Sequence, residues 1–332
     1  MKPRLIVLGY GSMAQAILSH NSHIATHYEL FITGRDRRKA QEFINANALN
    51  ARVLESKAQD SIDVSDSVLL FCVKPKGLAS FHFTGRARCV YSAMAGVRVQ
   101  ALKERVDSAL YVPFMPNIAA RFKSSATAYY IESSPVESRL DSHERDFHTS
   151  ELSQTAPARS SHALDSHASS PHSAPKSHTP SRPSSSEPSP TLHTITDTNA
   201  HAIPNTATDE ITAFLNSFGI SVRVDSESLI ESSIATSGSS IAFLALVAEA
   251  LIDSGVYEGL SHAQSASLVA QTFEGFARAL REQSPSMLKY AIASPGGTTI
   301  RGLALLESRG VRGAFMEAAS AAVKHARDSK KS

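Results

Sequence analysis

Near its amino terminus the chain reads Leu5-Ile6-Val7-Leu8-Gly9-Tyr10-Gly11-Ser12-Met13-Ala14. The four apolar residues predict a short buried strand, and the G-x-G-x-x-A pattern that follows them opens a helix. In such a turn the first glycine permits the tight bend, the second lets a pyrophosphate approach the backbone, and a small third residue lets helix and strand pack closely. The N–H groups at the start of the helix favour an anion. The stretch therefore predicts a dinucleotide site at Gly9, Gly11, Ser12, Met13 and Ala14.

The end of the second predicted strand indicates which dinucleotide is bound. The chain reads Phe31-Ile32-Thr33-Gly34-Arg35-Asp36-Arg37 there. A carboxylate at this point would bind the 2′-hydroxyl of NAD, whereas basic residues suit the 2′-phosphate of NADP. Asp36 is interpreted as the cap of the next helix. We therefore expect NADPH, with NADH as the alternative, bound by the hydroxyl of Thr33 and the charge of Arg35.

Strand and helix patterns alternate through the first third of the chain, which is typical of an α/β Rossmann-type doubly wound domain with a parallel sheet. We predict strands at 5–8, 28–33, 68–73, 89–94 and 109–114, and helices at 13–19, 38–47 and 99–105. A helix at 210–218 and a strand at 220–224 then complete this domain.

Residues 134–205 interrupt the domain with a stretch dominated by Ser, Pro, His and Thr. Its isolated apolar residues cannot offset the entropy of ordering, so we predict a disordered low-complexity insertion. The dinucleotide-binding domain is thus predicted at 1–133 and 206–228, and a helical domain at 229–332. The histidines of the insertion, such as His162 and His172, are irregularly spaced, and no metal site is predicted.

Composition narrows the class of protein. The 332 residues carry a net charge of +2, and no basic run is interleaved with aromatic residues, so we expect no nucleic-acid partner. Cys72 and Cys89 are the two cysteines, and their apolar setting indicates a reduced, cytoplasmic protein. We interpret no segment as approaching the about 18 apolar residues of a membrane span, and expect no membrane partner.

The helical domain contains one unusually apolar segment. The predicted helix 239–254 carries Ile241, Phe243, Leu246 and Leu251, so that it is apolar almost all round. A helix of this kind must be enclosed on most sides. Because one small helical domain cannot do this alone, we expect burial against a partner subunit.

Further segments carry a family resemblance. They are Val73-Lys74-Pro75, Ser92-Ala93-Met94-Ala95-Gly96-Val97, Met115-Pro116-Asn117, Ser237-Gly238-Ser239-Ser240 and Ser294-Pro295-Gly296-Gly297-Thr298-Thr299-Ile300. In this order and spacing they resemble the pyrroline-5-carboxylate reductase family, over roughly residues 4–133 and 207–326. The chain departs from common family patterns at Ala14, Ile118, Ala119 and Ile241, and the insertion is not a family feature.

The resemblance implies that the chain reduces 1-pyrroline-5-carboxylate to L-proline with NADPH, the last step of proline biosynthesis. It implies a Rossmann-type domain followed by an all-α substrate-binding and dimerisation domain that interlocks with its twin, as a homodimer or a ring of dimers. NADPH would lie over residues 9–14. Its nicotinamide side would be lined by Val73, Lys74, Pro75, Ala95, Gly96 and Asn117.

The imino acid would be held by residues 294–299. A Pro-Gly-Gly break before a helix offers bare N–H groups and a positive dipole end, which suit a carboxylate. We expect Ser294, Gly296 and Gly297 to hold the carboxylate, with the Thr298 hydroxyl as a further donor. Thr299, the catalytic candidate, would hydrogen-bond the ring nitrogen, and Glu282 matches a family carboxylate near the substrate. No side chain stands out as the proton donor, and water is an alternative.

Two other functions fit parts of the pattern. A β-hydroxyacid dehydrogenase-like reductase would place a catalytic lysine early in its second domain, but residues 229–260 contain no lysine. A non-catalytic dinucleotide-sensing or interaction protein, recruiting through the insertion, would have no need of a substrate loop. The intact loop at 294–299 therefore favours the reductase.

Overall fold

A computed structural model describes residues 2–54, 61–134 and 205–328 of the chain. Residues 135–204 of the predicted insertion lie outside the described residues. The helices and strands of the two domains follow in chain order.

The amino-terminal domain is built of eleven strands and six helices among the described residues. Their bounds are β1 Arg4–Leu8, α1 Ser12–Leu18, α2 Ser22–His27, β2 Glu29–Thr33, α3 Arg37–Ala46, β3 Ala51–Val53, β4 Ser61–Asp63, β5 Val68–Phe71, α4 Pro75–Leu78, β6 His82–Thr84, β7 Arg86–Ser92, α5 Val99–Lys103, β8 Asp107–Met115, a 3₁₀ helix Ile118–Phe122, β9 Ser125–Tyr129, β10 Glu132–Ser133, α6 Asn205–Asn216 and β11 Gly219–Arg223.

The carboxyl-terminal domain is helical throughout its described part, and we place α7, which crosses the predicted boundary at residue 229, in this domain. Its elements are α7 Glu227–Ser232, a 3₁₀ turn Ser233–Ala235, α8 Ser240–Tyr257, α9 His262–Glu282, α10 Pro285–Ile292, α11 Thr298–Ser308 and α12 Val311–Asp328.

The main sheet has the strand order β11-β9-β8-β7-β5-β1-β2-β3, and β10 pairs with β8. The neighbouring strands β8, β7, β5, β1, β2 and β3 pair in parallel. β9 and β10 run antiparallel to β8. β4 and β6 form a separate parallel pair. Because β1 is flanked by β2 on one side and β5 on the other, the direction of winding reverses between β1 and β5. In open sheets of this kind a ligand binds at the carboxyl ends of the strands at that reversal.

Both faces of the sheet are covered, which confirms the doubly wound prediction. In β1, Leu5 and Val7 belong to one buried cluster with residues of α1, α3 and α6. Ile6 and Leu8 point to the other face and join a second cluster with residues of α5. A strand buried on both faces is a continuous apolar run rather than an alternating one. That is the pattern from which β1 was predicted.

Several boundaries differ from the sequence prediction for local reasons. β5 ends at Phe71 rather than at residue 73, because the chain turns into α4 soon after the Cys72 N–H has made the last bond to β1, to the Leu8 carbonyl at 2.8 Å. α6 begins at Asn205 instead of residue 210, since its polar first turn carries no apolar period. The short strand β9 and its antiparallel pairing were missed, because Ser125-Ala126-Thr127-Ala128-Tyr129 is too small and polar to predict a strand.

The helical domain leaves much apolar surface uncovered. A small cluster that includes Met115, Ile230, Ile234 and Val323 joins it to the sheet. No residue of α8 is buried within the described chain, and Leu246 is 65% exposed. This exposure fits the expectation that the helix is buried against a partner subunit, and that burial stays a prediction.

The expectation about membrane-spanning segments needs correction. By length and composition alone, the stretch Glu227–Tyr257 is long and apolar enough to cross a membrane, and 11% of its most apolar window is buried. A 3₁₀ turn and the polar residues 236–239 interrupt this stretch between α7 and α8. The sequence prediction missed this stretch because its serines interrupt the apolar run.

Candidate active site

The glycine turn after β1 holds three strand ends together. Gly9 has φ +109°, and a Cβ added there would lie 2.8 Å from the backbone C and O atoms of Cys72. Its N–H donates to the Thr33 carbonyl at 2.9 Å. Only glycine therefore permits β1, β2 and β5 to approach one another at this edge.

Gly11 fills a different role from Gly9. It precedes α1, whose first turn receives no side-chain cap, and an added Cβ at Gly11 would meet no atom within 4 Å. The open space lies before the N–H groups of Ser12 and Met13, which have no partner inside the helix. Ala14 is fully buried against the sheet. These features fit a pyrophosphate at the start of α1.

A cleft of about 370 Å³ opens at this edge of the sheet. It brings together five predicted cofactor residues: Gly9, Gly11, Arg35, Val73 and Lys74. The other lining residues were not predicted from the sequence, and they are Tyr10, Gly34, Cys72, Lys76, Gly77 and Phe81. Tyr10 and Gly34 stood inside the quoted motifs, and Lys76 follows Pro75 directly, so proximity to the motifs was the available signal.

The cleft is lined by basic side chains, of which Arg35 follows the end of β2. Arg35, Lys74 and Lys76 line it, and no carboxylate is among its described lining residues. The nearby Asp36 carboxylate accepts from the N–H groups of Arg38 (2.9 Å) and Lys39 (3.2 Å), so its predicted role as the cap of α3 is confirmed. The one acidic side chain at this strand end is thereby committed to the helix.

Tyr10 joins the glycine turn to the end of β2. Its ring lies so close to Gly34 that an added Cβ there would be 2.3 Å from the ring. Its hydroxyl accepts from the Asp36 N–H at 3.3 Å. Thr33 is the last residue of β2 and engages Gly9 through its carbonyl, and it is not among the residues that line the cleft.

The turn after β5 presents Lys74 to the cleft and leaves Cys72 half-buried in the wall of the cleft. Lys74 precedes α4 in an extended conformation, and Pro75 occupies the first helical position, where its missing N–H costs nothing. Burial raises the pKa of the Cys72 thiol to about 12. This thiol is therefore protonated at neutral pH and is not a nucleophile in the cleft.

The turns after β7 and β8 are tied to the helical domain. Gly96 has φ +80° in the turn that leads to α5. The Val99 N–H donates to Oε1 of Glu227 at 2.6 Å. Asn117 is 6% exposed, and its amide donates to the Ser237 carbonyl (3.2 Å) while its Oδ1 accepts from the Ala119 N–H (3.1 Å).

Only part of the predicted nicotinamide side lies in the cleft. The amide of Asn117 is engaged inside the chain, and Ala95, Gly96 and Asn117 do not line the 370 Å³ cleft. Their contact with the cofactor stays a prediction. The Glu227 and Ser237 contacts were missed, because each spans more than a hundred residues and leaves no periodic signal.

The predicted substrate loop precedes α11. Gly297 is the N-cap of this helix without a side-chain cap, and Gly296 has φ +72°. One expectation is wrong: the Gly297 N–H is not bare, because it donates to the Ser294 carbonyl at 3.0 Å. The N–H groups that lack a partner inside the helix belong to the next three residues, Thr298, Thr299 and Ile300. The N–H groups that remain available to an anion therefore begin at Thr298, further along the chain than predicted.

The loop and the cleft are not united within the described residues of one chain. Every residue that lines the cleft belongs to the amino-terminal domain. Ser294, Thr298 and Thr299 are exposed, and so is Glu282 at the end of α9. Within the described residues, no group of three His, Cys, Asp or Glu side chains could hold a metal ion.

Comparisons with known proteins agree with this architecture. Residues 227–329 match the family described as pyrroline-5-carboxylate reductase dimerisation. A pyrroline-5-carboxylate reductase of Helicobacter pylori is 34% identical over 321 residues, which cover 96% of this chain and 97% of the relative. A Thermus thermophilus enzyme of the same name is 44% identical over 98 residues, 30% of this chain and 38% of the relative.

Two solved structures show the same fold. A 1-pyrroline-5-carboxylate reductase of Streptococcus pyogenes has a TM-score of 0.65 at 22% identity, with 98% of each chain covered. The Plasmodium falciparum pyrroline carboxylate reductase, solved with NADP bound, has a TM-score of 0.61 at 20% identity, with 99% of this chain and 98% of that chain covered.

A dinucleotide cleft on a Rossmann-type sheet, followed by a helical dimerisation domain, defines a class of nicotinamide-dependent oxidoreductases. The relationship along nearly the whole chain narrows the class further. The chain belongs to the pyrroline-5-carboxylate reductase family.

Proposed function

We propose that the chain reduces 1-pyrroline-5-carboxylate to L-proline with NADPH, as the last step of proline biosynthesis. A hydride is added to the imine carbon, which is C2 of the pyrroline ring and becomes C5 of proline. A proton is added to the ring nitrogen, which yields proline and NADP⁺. The relationship to the Helicobacter pylori enzyme over 96% of the chain carries this proposal. The cleft at Gly9 and Gly11 supports it independently.

The cleft supports NADPH over NADH. Arg35 supplies positive charge just after the end of β2, where a 2′-phosphate would lie, and Lys74 and Lys76 add positive charge elsewhere in the cleft. Asp36, the side chain that could favour NAD, is committed to capping α3. When bound, the reduced nicotinamide supplies the hydride, and the protein orients the two reactants.

The loop before α11 suits the substrate carboxylate. Uncapped N–H groups of Thr298, Thr299 and Ile300 and the positive end of the helix favour an anion there. An added Cβ at Gly296 would meet nothing within 4 Å, which leaves room for a ring. In this proposal Ser294, Gly296, Gly297 and Thr298 frame the carboxylate. The Thr299 hydroxyl holds the ring nitrogen, with Glu282 near the substrate.

A homodimer explains how the cleft and the loop meet. The two sites belong to different domains, and the helical domain exposes Leu246 and Met316, which are 65% and 68% exposed. We propose that this surface is buried against a second copy, in a dimer or a ring of dimers. The apolar stretch 227–257 is then interior to the dimer, which fits a cytoplasmic protein without a membrane or nucleic-acid partner.

The test is a steady-state assay with the purified full-length chain, 1-pyrroline-5-carboxylate and NADPH. We expect one proline formed for each NADPH oxidised, and slower turnover with NADH. NADPH binding without turnover would favour the dinucleotide-sensing alternative. Oxidation of a β-hydroxyacid in place of imine reduction would favour the dehydrogenase-like alternative.

A further inference from the structure

We propose that Glu227 is a positioning residue, through which the dimerisation domain fixes the turn that faces the nicotinamide. The bond on which this depends joins Glu227 Oε1 to the Val99 N–H at 2.6 Å, across 128 residues of sequence. Glu227 is the first residue of α7 and of the region that matches the dimerisation family. The inference rests on the proposed function.

Helix α5 needs an acceptor from outside itself. It has five residues, and Arg98 at its N-cap position makes no side-chain cap bond. The first N–H groups of a helix lack partners inside it, and a negative charge at that end is favourable. Glu227 supplies both the acceptor and the charge from the other domain.

The bond fixes more than the helix end. Gly96 bends the chain three residues before Val99, and Gly96, Val97 and Glu227 line the same small cavity. The neighbouring turn after β8 is also held by a hydrogen bond, which the Asn117 amide donates to the Ser237 carbonyl. Both turns that follow β7 and β8 are therefore held by residues 227–237.

In the proposed function, the topology of the sheet directs the nicotinamide towards these turns. Arg35 marks the adenosine end of the cleft, at the end of β2. A dinucleotide that crosses the reversal between β1 and β5 must extend its other end over β5, β7 and β8. The position of the turn that carries Gly96 thus follows the position of α7.

Hydride transfer depends steeply on such positions, because a misplacement of about 1 Å can cost on the order of a hundredfold in rate. We expect Glu227→Ala to lower kcat by roughly tenfold, with NADPH affinity changed by less than about threefold, because the adenosine and pyrophosphate contacts remain. Glu227→Gln keeps both reach and an acceptor oxygen, and should recover most of kcat. The matched control is Glu274→Ala, which removes an exposed ion pair with Arg278 in α9 and should leave kcat unchanged.

The full-length variants are compared by NADPH titration, dimer mass and steady-state kinetics with 1-pyrroline-5-carboxylate. Unchanged kcat in a folded, dimeric Glu227→Ala protein overturns the inference, as does an equal loss in the Glu274→Ala control. If Glu227→Ala does not fold, the inference is tested by comparing kcat of Glu227→Gln with kcat of Glu227→Asp. Asp keeps the charge but loses reach, so positioning predicts a higher kcat for Gln, and the reverse order overturns it. A wild-type chain without turnover refutes the proposed function instead.

Discussion

The two halves of the chain bury their apolar residues in different ways. Strand β1 is fully covered on both faces by its own domain, whereas α8 has no buried residue within the described chain. An apolar surface of this extent marks an interaction site. The cofactor cleft thus forms within one chain, while the helical domain leaves apolar side chains of α8 exposed, as the proposed dimer requires.

The largest effect is expected where a charge enters the exposed apolar surface. A Leu246→Glu dimer would bury two carboxylates, one from each subunit, at a cost of several kcal/mol. Each 1.4 kcal/mol raises the dissociation constant tenfold. We therefore expect dimer affinity to fall by at least about a hundredfold, with loss of turnover. Mass measurement and the proline assay check this, with Leu246→Met as the control. A Leu246→Glu protein that stays dimeric and active would show that this face is not the interface.

The next effect separates two glycines of the cleft. Gly9→Ala forces a Cβ against Cys72 at positive φ, so about 1–3 kcal/mol of strain should lower Tm. Gly11→Ala meets open space and should leave Tm unchanged. It should nevertheless weaken NADPH binding by about ten- to a hundredfold, because the added Cβ keeps the pyrophosphate away from the backbone N–H groups. A hydrogen bond to a charged phosphate is worth about 1.5–3 kcal/mol. Full NADPH affinity in Gly11→Ala would remove the pyrophosphate from this turn.

These glycines were predictable because a turn motif is local, and its strand and helix stand beside it in the sequence. The all-round apolarity of α8 likewise predicted its exposure in one chain. Other features depend on distant partners: Glu227 on Val99, and Asn117 on Ser237. No period or spacing in the sequence records such pairs. The engagement of the Gly297 N–H was missed for a different reason, since it depends on how one short loop closes.

In the helical half, Thr299→Ala should have a moderate effect. Loss of a hydrogen bond worth about 0.5–1.5 kcal/mol predicts a two- to tenfold lower kcat, with unchanged NADPH affinity and dimer mass. Ser308→Ala removes another hydroxyl from the same helix, one that donates to the Leu305 carbonyl, and serves as the control. Kinetics of Thr299→Ala equal to wild type would rule out its proposed role at the ring nitrogen.

Replacing residues 135–204 by a short Gly/Ser bridge should change kcat by less than about twofold. The chain before this segment is anchored where Ser134 donates to the Ala109 carbonyl and accepts from Arg86. Both contacts lie at the amino-terminal ends of β7 and β8, opposite the edge that forms the cleft. Loss of solubility or turnover in the shortened protein would assign the segment a structural role.

A last effect is on stability rather than on activity, and it concerns the amino-terminal half at alkaline pH. Burial, the largest cause, raises the pKa of Tyr28 to about 12, above its ordinary value of 10. Because the folded-state pKa is the higher one, this contribution to stability is fully present below pH 10 and is lost as the pH rises towards 12. Tyr28→Phe should therefore show a shallower loss of unfolding free energy over this range, measured by urea titration. An unchanged slope would contradict the raised pKa.

The most direct measurement follows a label from cofactor to product. Full-length enzyme is given 1-pyrroline-5-carboxylate and NADPH that carries deuterium at the transferable position, and the proline is analysed by NMR and mass spectrometry. We expect one deuterium at C5 of proline for each NADPH oxidised. Proline without deuterium, or NADPH binding without any proline, would contradict it.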